Sequence, residues 1–201
     1  MTAQFQYTTL AHQTAAVQSL ADVFNDVRFV PPVNVQSNPT LVPREAADVL
    51  RANIQAVRQR NQVTAGDVQV PVTTTPALGL DVLMETGTGK TFTFIETIHR
   101  LHRDQKIAKF IVLVPSNAIR QGTLKSFQTT AAFFAKQYNQ HINVYNYSAK
   151  TVGGFIHAAN AGISVLVATY QSFAGDGKVI NQRGVEANLF GHAKSYMEAL
   201  A

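Results

Sequence analysis

Two hydrophobic patterns alternate along the second half of the chain. Residues 80–84, 109–114 and 163–169 are short, nearly continuous apolar runs, the pattern of parallel strands buried on both faces. Residues 141–147 alternate apolar and polar, which also predicts a strand. Between these runs lie stretches with helical periodicity. One starts at the glycine-rich turn after Met84 and reaches about Arg103. A second follows Pro115-Ser116-Asn117 and runs through Phe127 toward Ala135. A third covers 150–161, where Gly153-Gly154 weakens the helical pattern. Strand and helix in regular alternation predict an α/β fold with a mostly parallel sheet and helices on both faces. Near the N-terminus, Ala16, Leu20, Val23 and Phe24 recur at helical spacing, with Thr8 or Thr9 as the N-cap and Gln13 on the polar side. Residues 30–79 read as a spacer or insertion. Val30-Pro31-Pro32 and Asn38-Pro39 interrupt regular structure. Residues 43–58 predict a helix with proline in its first turn, 64–67 a turn, and 68–76 an edge strand or loop broken by proline. No chemistry is evident in this spacer, and the chain has no internal repeat.

The strongest chemical signal sits where the first strand meets the first of these helices, at Met84-Glu85-Thr86-Gly87-Thr88-Gly89-Lys90-Thr91. Strand, glycine-rich turn and helix in this order are the context a phosphate-binding loop requires. Gly87 and Gly89 permit a tight turn and let backbone N–H groups come close to an anion. The helix behind them contributes partial positive charge and unpaired N–H donors. Lys90 is placed to reach the β- and γ-phosphates, and the Thr91 hydroxyl to hold Mg²⁺ between them. The general pattern asks for glycine where this chain has Met84.

Composition narrows the class further. At 201 residues and 46% hydrophobic, the chain predicts one folded domain with a sizeable core. No apolar run reaches the length of about 18 residues needed to cross a membrane. The first residues lack both a basic start and an apolar h-region, so no signal peptide is predicted, and a cytoplasmic location fits. The absence of cysteine excludes disulfides and thiolate metal sites. A net charge of +5 is compatible with nucleic acid, but the basic residues are scattered. His99 and His102 lie three apart with no third ligand, and are read as a polar helix face. Asp176, between two glycines, is read as a turn.

The core Thr86-Gly87-Thr88-Gly89-Lys90-Thr91, with a non-glycine first position, resembles motif I of superfamily 2 helicases and translocases. Together with Val114-Pro115-Ser116-Asn117-Ala118-Ile119-Arg120-Gln121-Gly122, it resembles the Res subunit of type III restriction enzymes. Residues 179–181 and 189–201 share that likeness, which covers about residues 5–29 and 80–201. The resemblance implies the first RecA-like motor domain, P-loop in type, of an enzyme coupling ATP-dependent translocation on double-stranded DNA to endonuclease cleavage. A methyltransferase (modification) subunit is the implied partner, and ATP and Mg the implied cofactors. Within His12-Gln13-Thr14-Ala15-Ala16-Val17, Gln13 would read adenine, its amide donating to and accepting from the base edge. Thr86, Gly87, Thr88, Gly89, Lys90 and Thr91 would hold the phosphates and Mg²⁺, with Lys90 and Thr91 acting in catalysis. Pro115, Ser116 and Arg120 fall where that family touches the DNA backbone, and Thr169 falls in a further DNA-contacting segment. Ser116 also fits an ordinary helix N-cap, and Arg120 a solvated helix position. The family requires an acidic Asp-Glu box, and no such dipeptide occurs here. The chain is therefore expected to be an N-terminal fragment, inactive alone as an ATPase, with acidic box, second motor domain and nuclease site beyond residue 201. The alternatives are another superfamily 2 helicase acting on DNA or RNA, and a non-catalytic nucleotide-binding module.

Overall fold

A computed structural model describes residues 7–32, 34–63 and 78–173. The turn at 64–67, the β-prone segment 68–76, the likeness in 179–201 and the turn at Asp176 lie outside the described residues. The chain divides into two compact units, one formed by 1–33 and 38–107, the other by 34–37 and 108–201. No described helix is long and apolar enough to cross a membrane.

The first unit is mostly helical. Helix α1 (Ala11–Asp22) buries Gln13, Val17 and Ala21, one residue per turn on a single stripe. That stripe differs from the expected one, since Ala16 and Leu20 are only half-buried and Gln13 is inside rather than on the polar side. The N-cap is Leu10, not Thr8 or Thr9. Leucine offers no cap acceptor, so Gln13 supplies the reciprocal contact, its Oε1 accepting from Leu10 N–H at 3.3 Å. The short strands β1 (Phe29–Val30) and β2 (Thr40–Leu41) pair antiparallel, Phe29 opposite Leu41. Helix α2 (Pro43–Arg60) starts with proline at its first turn and carries Arg58 and Arg60 in its last, where cations favour the helix dipole. Ala46, Ala47, Leu50 and Ile54 recur at helical spacing and form a core with Val23 and Val27. Burying Leu50 and Ile54 contributes about 1.5–3 kcal/mol each. Polar contacts fix the register, with Asn53 Nδ2 donating to the carbonyls of Val23 and Asn25. The spacer helix is thus docked onto the end of α1 rather than held apart from it. Helix α3 (Lys90–Gln105) packs along α1 and ends at Lys106 with φ +60°.

The second unit holds the sheet. Strand β3 (Lys109–Val114) leads to helix α4 (Asn117–Tyr138), strand β4 (Ile142–Asn146), helix α5 (Val152–His157), strand β5 (Ile163–Thr169) and the short helix α6 (Tyr170–Phe173). The order is β3-β5-β4, all parallel, with β5 central and buried along its whole length. The path from β3 to β4 steps one way across the sheet, and the path from β4 to β5 steps back. Right-handed crossovers therefore place α4 and α5 on opposite faces. Val152, Phe155 and Ile156 of α5 pack on Leu166, flanked by Tyr145 and Tyr147. Thr123, Phe127, Thr130 and Phe134 form the buried stripe of α4, and the Thr130 hydroxyl is satisfied by donating to Ser126 O at 2.8 Å. Helix α5 is shorter than the expected 150–161. Thr151 Oγ1 bonds Asn146 O and receives Ser148 N–H, building a turn in place of helix. Strand β3 also departs from expectation. Ile111 and Leu113 are 41% and 49% exposed, because β3 is the edge strand of the described sheet.

Two carboxylates in the first unit link stability to pH. Burial alone would raise the Asp22 carboxyl. Hydrogen bonds from Arg60, Gln18 and Asn25, with the Arg60 charge, outweigh it and hold Asp22 below its ordinary 3.8. Asp104 follows the same balance, burial opposed by Arg103 and Arg100, and is also lowered. Groups whose pKa falls on folding stabilise above the unfolded value, and that contribution disappears as pH drops through the folded one. Urea midpoints should therefore fall from about pH 5 downward. An Asp22→Asn, Asp104→Asn double variant should show a shallower fall over that window. Parallel curves for the two proteins would contradict the pairing.

Candidate functional site

The glycine-rich loop lies wholly in the first unit. The run at residues 80–84 that predicts a strand is not one in the structure: Leu83 is fully exposed and Val82 45% exposed. A parallel strand exists only through a neighbour, and among the described residues no strand pairs with this segment. The turn itself forms as expected. Gly87 has φ +82° and Gly89 φ +87°, conformations that L-residues rarely adopt. Gly89 is the N-cap of α3, whose first turn therefore receives no side-chain cap. The loop is closed by its own side chains. Thr88 Oγ1 and Lys90 Nζ both donate to Glu85 O, at 2.7 and 2.6 Å. Thr91 is half-buried in the first turn of α3, while Thr86 and Gly87 are exposed.

Helix α1 supplies a second layer to this loop. Gln13, 7% exposed, donates through Nε2 to Thr88 O at 3.0 Å. His12 Nε2 donates to the same oxygen at 2.9 Å. A Cβ at Gly89 would stand inside the van der Waals shell of Gln13 Nε2, and 3.3 Å from Gln13 Cδ. Tyr7 lies 5.9 Å, ring to ring, from Phe92. Sequence reasoning singled out Gln13 but not His12, whose only signal was its place beside that glutamine. The histidine pair expected on a polar face is not there. His99 is 2% exposed, and His102 Nδ1 donates to Ile107 O at 2.9 Å.

The remaining candidates lie in the second unit, at the carboxyl ends of two neighbouring strands. Val114 of β3 is in register with Thr169 of β5, so the residues that follow each strand emerge side by side. Gln171 Nε2 bridges them, donating to Pro115 O at 3.2 Å. Thr169 is buried, its hydroxyl 2.8 Å from Ser172 Oγ. Ser116 is the N-cap of α4, its Oγ accepting from Ile119 N–H at 3.3 Å. Arg120 is half-buried one turn later, its N–H bonded to Ser116 O at 2.9 Å. Its Nε is buried with no hydrogen-bond partner among the described residues. Arg120 is therefore not the solvated helix residue that spacing alone allowed. Gln171 is the residue here whose contact could not be read from sequence, because it depends on the register of two strands.

The two glycines make the loop geometry testable. Gly87→Ala meets open space and only the left-handed strain, about 1–2 kcal/mol. Gly89→Ala meets the same strain and also Gln13, so it should lower the melting temperature further. In a Gln13→Ala background the two glycine variants should become equal. An unchanged gap between them there would place Gln13 away from Gly89.

Comparison with known proteins gives the family. Residues 7–188 match the family model described as type III restriction enzyme, res subunit. The Res subunit of the type III restriction-modification enzyme EcoPI, from Escherichia phage P1, is 29% identical over 170 residues. That alignment covers 75% of this chain and 17% of the relative. The EcoP15I Res subunit of Escherichia coli is 33% identical over 96 residues, 40% of this chain and 10% of the relative. The StyLTI Res subunit of Salmonella typhimurium is 44% identical over 43 residues, 21% of this chain and 4% of the relative. The chain thus spans no more than about a sixth of the length of these curated relatives. With a parallel sheet, flanking helices and a family model matched over most of its length, the chain has a RecA-like helicase fold and belongs to the Res subunit family of type III restriction enzymes.

Proposed function

We propose that residues 1–201 form the first motor domain of an ATP-dependent DNA translocase within a type III restriction endonuclease, with 30–79 as an insertion. Its part is to bind ATP with Mg²⁺ and to touch the DNA backbone. The observation that carries the nucleotide half is the loop, with two left-handed glycines ahead of an uncapped helix start and a lysine turned inward onto a loop carbonyl. The residues fit a polyphosphate. A Cβ at Gly87 would have open space around it, so the backbone there is approachable. Lys90 can exchange the Glu85 carbonyl for phosphate oxygens, which add the attraction between opposite full charges. Thr86, Gly87, Thr88 and Gly89 would wrap the phosphates, and the Thr91 hydroxyl would hold Mg²⁺. Bound there, ATP–Mg would supply the free energy of phosphoryl transfer, while Lys90 would offset phosphate charge and the Thr91 hydroxyl would orient the metal.

The DNA half rests on the carboxyl edge of the sheet, where open α/β folds place ligands. Pro115, Ser116, Arg120 and Thr169 lie along that edge. Arg120, half-buried one turn after Ser116, supplies a guanidinium charge suited to a phosphate oxygen. In the whole enzyme this domain would act on double-stranded DNA, in complex with a methyltransferase modification subunit, in the cytoplasm.

Titration calorimetry of the 201-residue chain with Mg–ATP should show Lys90→Ala weakening binding by about tenfold or more, the loss of a charged hydrogen bond. Equal affinities would remove the assignment of the loop. For DNA, Arg120→Ala should weaken binding alike for unrelated duplexes and reduce the log–log salt slope by about 1. A loss confined to one sequence, followed by fluorescence anisotropy, would contradict a backbone role.

A further inference from the structure

We infer that His12 and Gln13 are positioning residues that latch the peptide between Thr88 and Gly89, setting the phosphate-binding geometry of the loop rather than reading a base. The inference rests on the reading of that loop as a polyphosphate cradle. Two donors from adjacent residues converge on one carbonyl oxygen, His12 Nε2 at 2.9 Å and Gln13 Nε2 at 3.0 Å from Thr88 O. A carbonyl oxygen has two lone pairs, and the two bonds fill them. Because the oxygen can only accept, His12 carries a proton on Nε2.

The peptide is trans, so its C=O and N–H point in opposite directions. Drawing the Thr88 carbonyl toward α1 aims the Gly89 N–H away from α1. A phosphate seated in the loop is then met by a donor already fixed in direction, with less entropy lost on binding. The glutamine is equally committed at its other end, where Oε1 accepts from Leu10 N–H at 3.3 Å. The two contacts also settle which end of the amide is oxygen and which nitrogen. An adenine edge would need that same donor and acceptor, so reading a base would draw on bonds that tie the loop to the start of α1. Gly89 completes the device. Only a residue with no Cβ admits Gln13 this close, and only such a residue readily takes φ +87° there.

A latch on the loop affects every ligand that carries the phosphates, whereas a base reader affects only adenine nucleotides. Calorimetry with Mg–ATP and with Mg–tripolyphosphate, which has no base, separates them. His12→Ala should weaken both probes by the same factor, about two- to tenfold, as for one lost hydrogen bond. His12→Gln, whose amide nitrogen extends about as far as Nε2, should restore most of both. Gln13→Ala should show the same equal loss. Should that buried substitution fail to fold, the exposed His12 pair decides alone. A loss for Mg–ATP with none for Mg–tripolyphosphate would overturn the latch in favour of base reading. Full binding in His12→Ala, alongside weakened binding in Lys90→Ala, would overturn the latch and leave the loop assignment standing. Wild-type binding of both probes in Lys90→Ala would overturn the loop assignment and the latch with it.

Discussion

Helix α1 can lie against the glycine-rich loop only because position 89 has no side chain. Gln13 occupies the space a Cβ would need, and its amide ties the Thr88 carbonyl to the start of α1. The same glycine turns the chain at φ +87° into α3, so one residue sets both the entry of that helix and the distance to its neighbour. The contact is polar and inside the protein, which raises its importance. A buried donor left without a partner costs about 1–3 kcal/mol, so any change that separates α1 from the loop is penalised at the Nε2 end of Gln13. The pairing of α1 with α3 is therefore set by hydrogen-bond satisfaction at their N-terminal ends as much as by apolar area.

The second unit depends on a different constraint, the complete burial of β5. A central parallel strand has both faces covered, and its sequence can be apolar throughout. Its register with β3 brings Thr169 level with Val114, which is why Pro115 and Gln171 meet although they are distant in the chain. The polar residues cluster at the carboxyl end because the strands run parallel and all release their chains on one side. In an antiparallel sheet the same sequences would emerge at opposite edges.

Much of this was readable in advance, and the failures share a cause. Strands β3, β4 and β5 and helices α2, α3 and α4 follow from periodicity, and the loop glycines adopt the positive φ that their motif requires. Residues 80–84 have the composition of a strand and do not form one among the described residues. Hydrophobic pattern measures what a segment gains from pairing, but the partner decides whether the gain is realised. Helical pattern alone puts Gln13 on the polar side, because a glutamine in an amphipathic helix is ordinarily solvated, and the structure buries it. Its burial depends on a carbonyl 75 positions away. His12, Gln171 and the buried Arg120 Nε were out of reach for the same reason, since each is defined by a long-range contact or by its burial rather than by local pattern.

The loop's internal bonds carry the last step. Lys90 and Thr88 both donate to the Glu85 carbonyl, so the loop satisfies its own cation and hydroxyl with one backbone oxygen. A neutral carbonyl is a weaker partner for an ammonium group than an oxyanion, because only the oxyanion adds the attraction between opposite full charges. The contact therefore holds Lys90 in place while giving little resistance to exchange. The Thr88 carbonyl, by contrast, is tied by two donors from α1, and as an acceptor it has nothing to offer an incoming anion. One contact is thus easily exchanged and the other is anchored. Incoming negative charge would move a side chain, Lys90, and leave the backbone where α1 holds it.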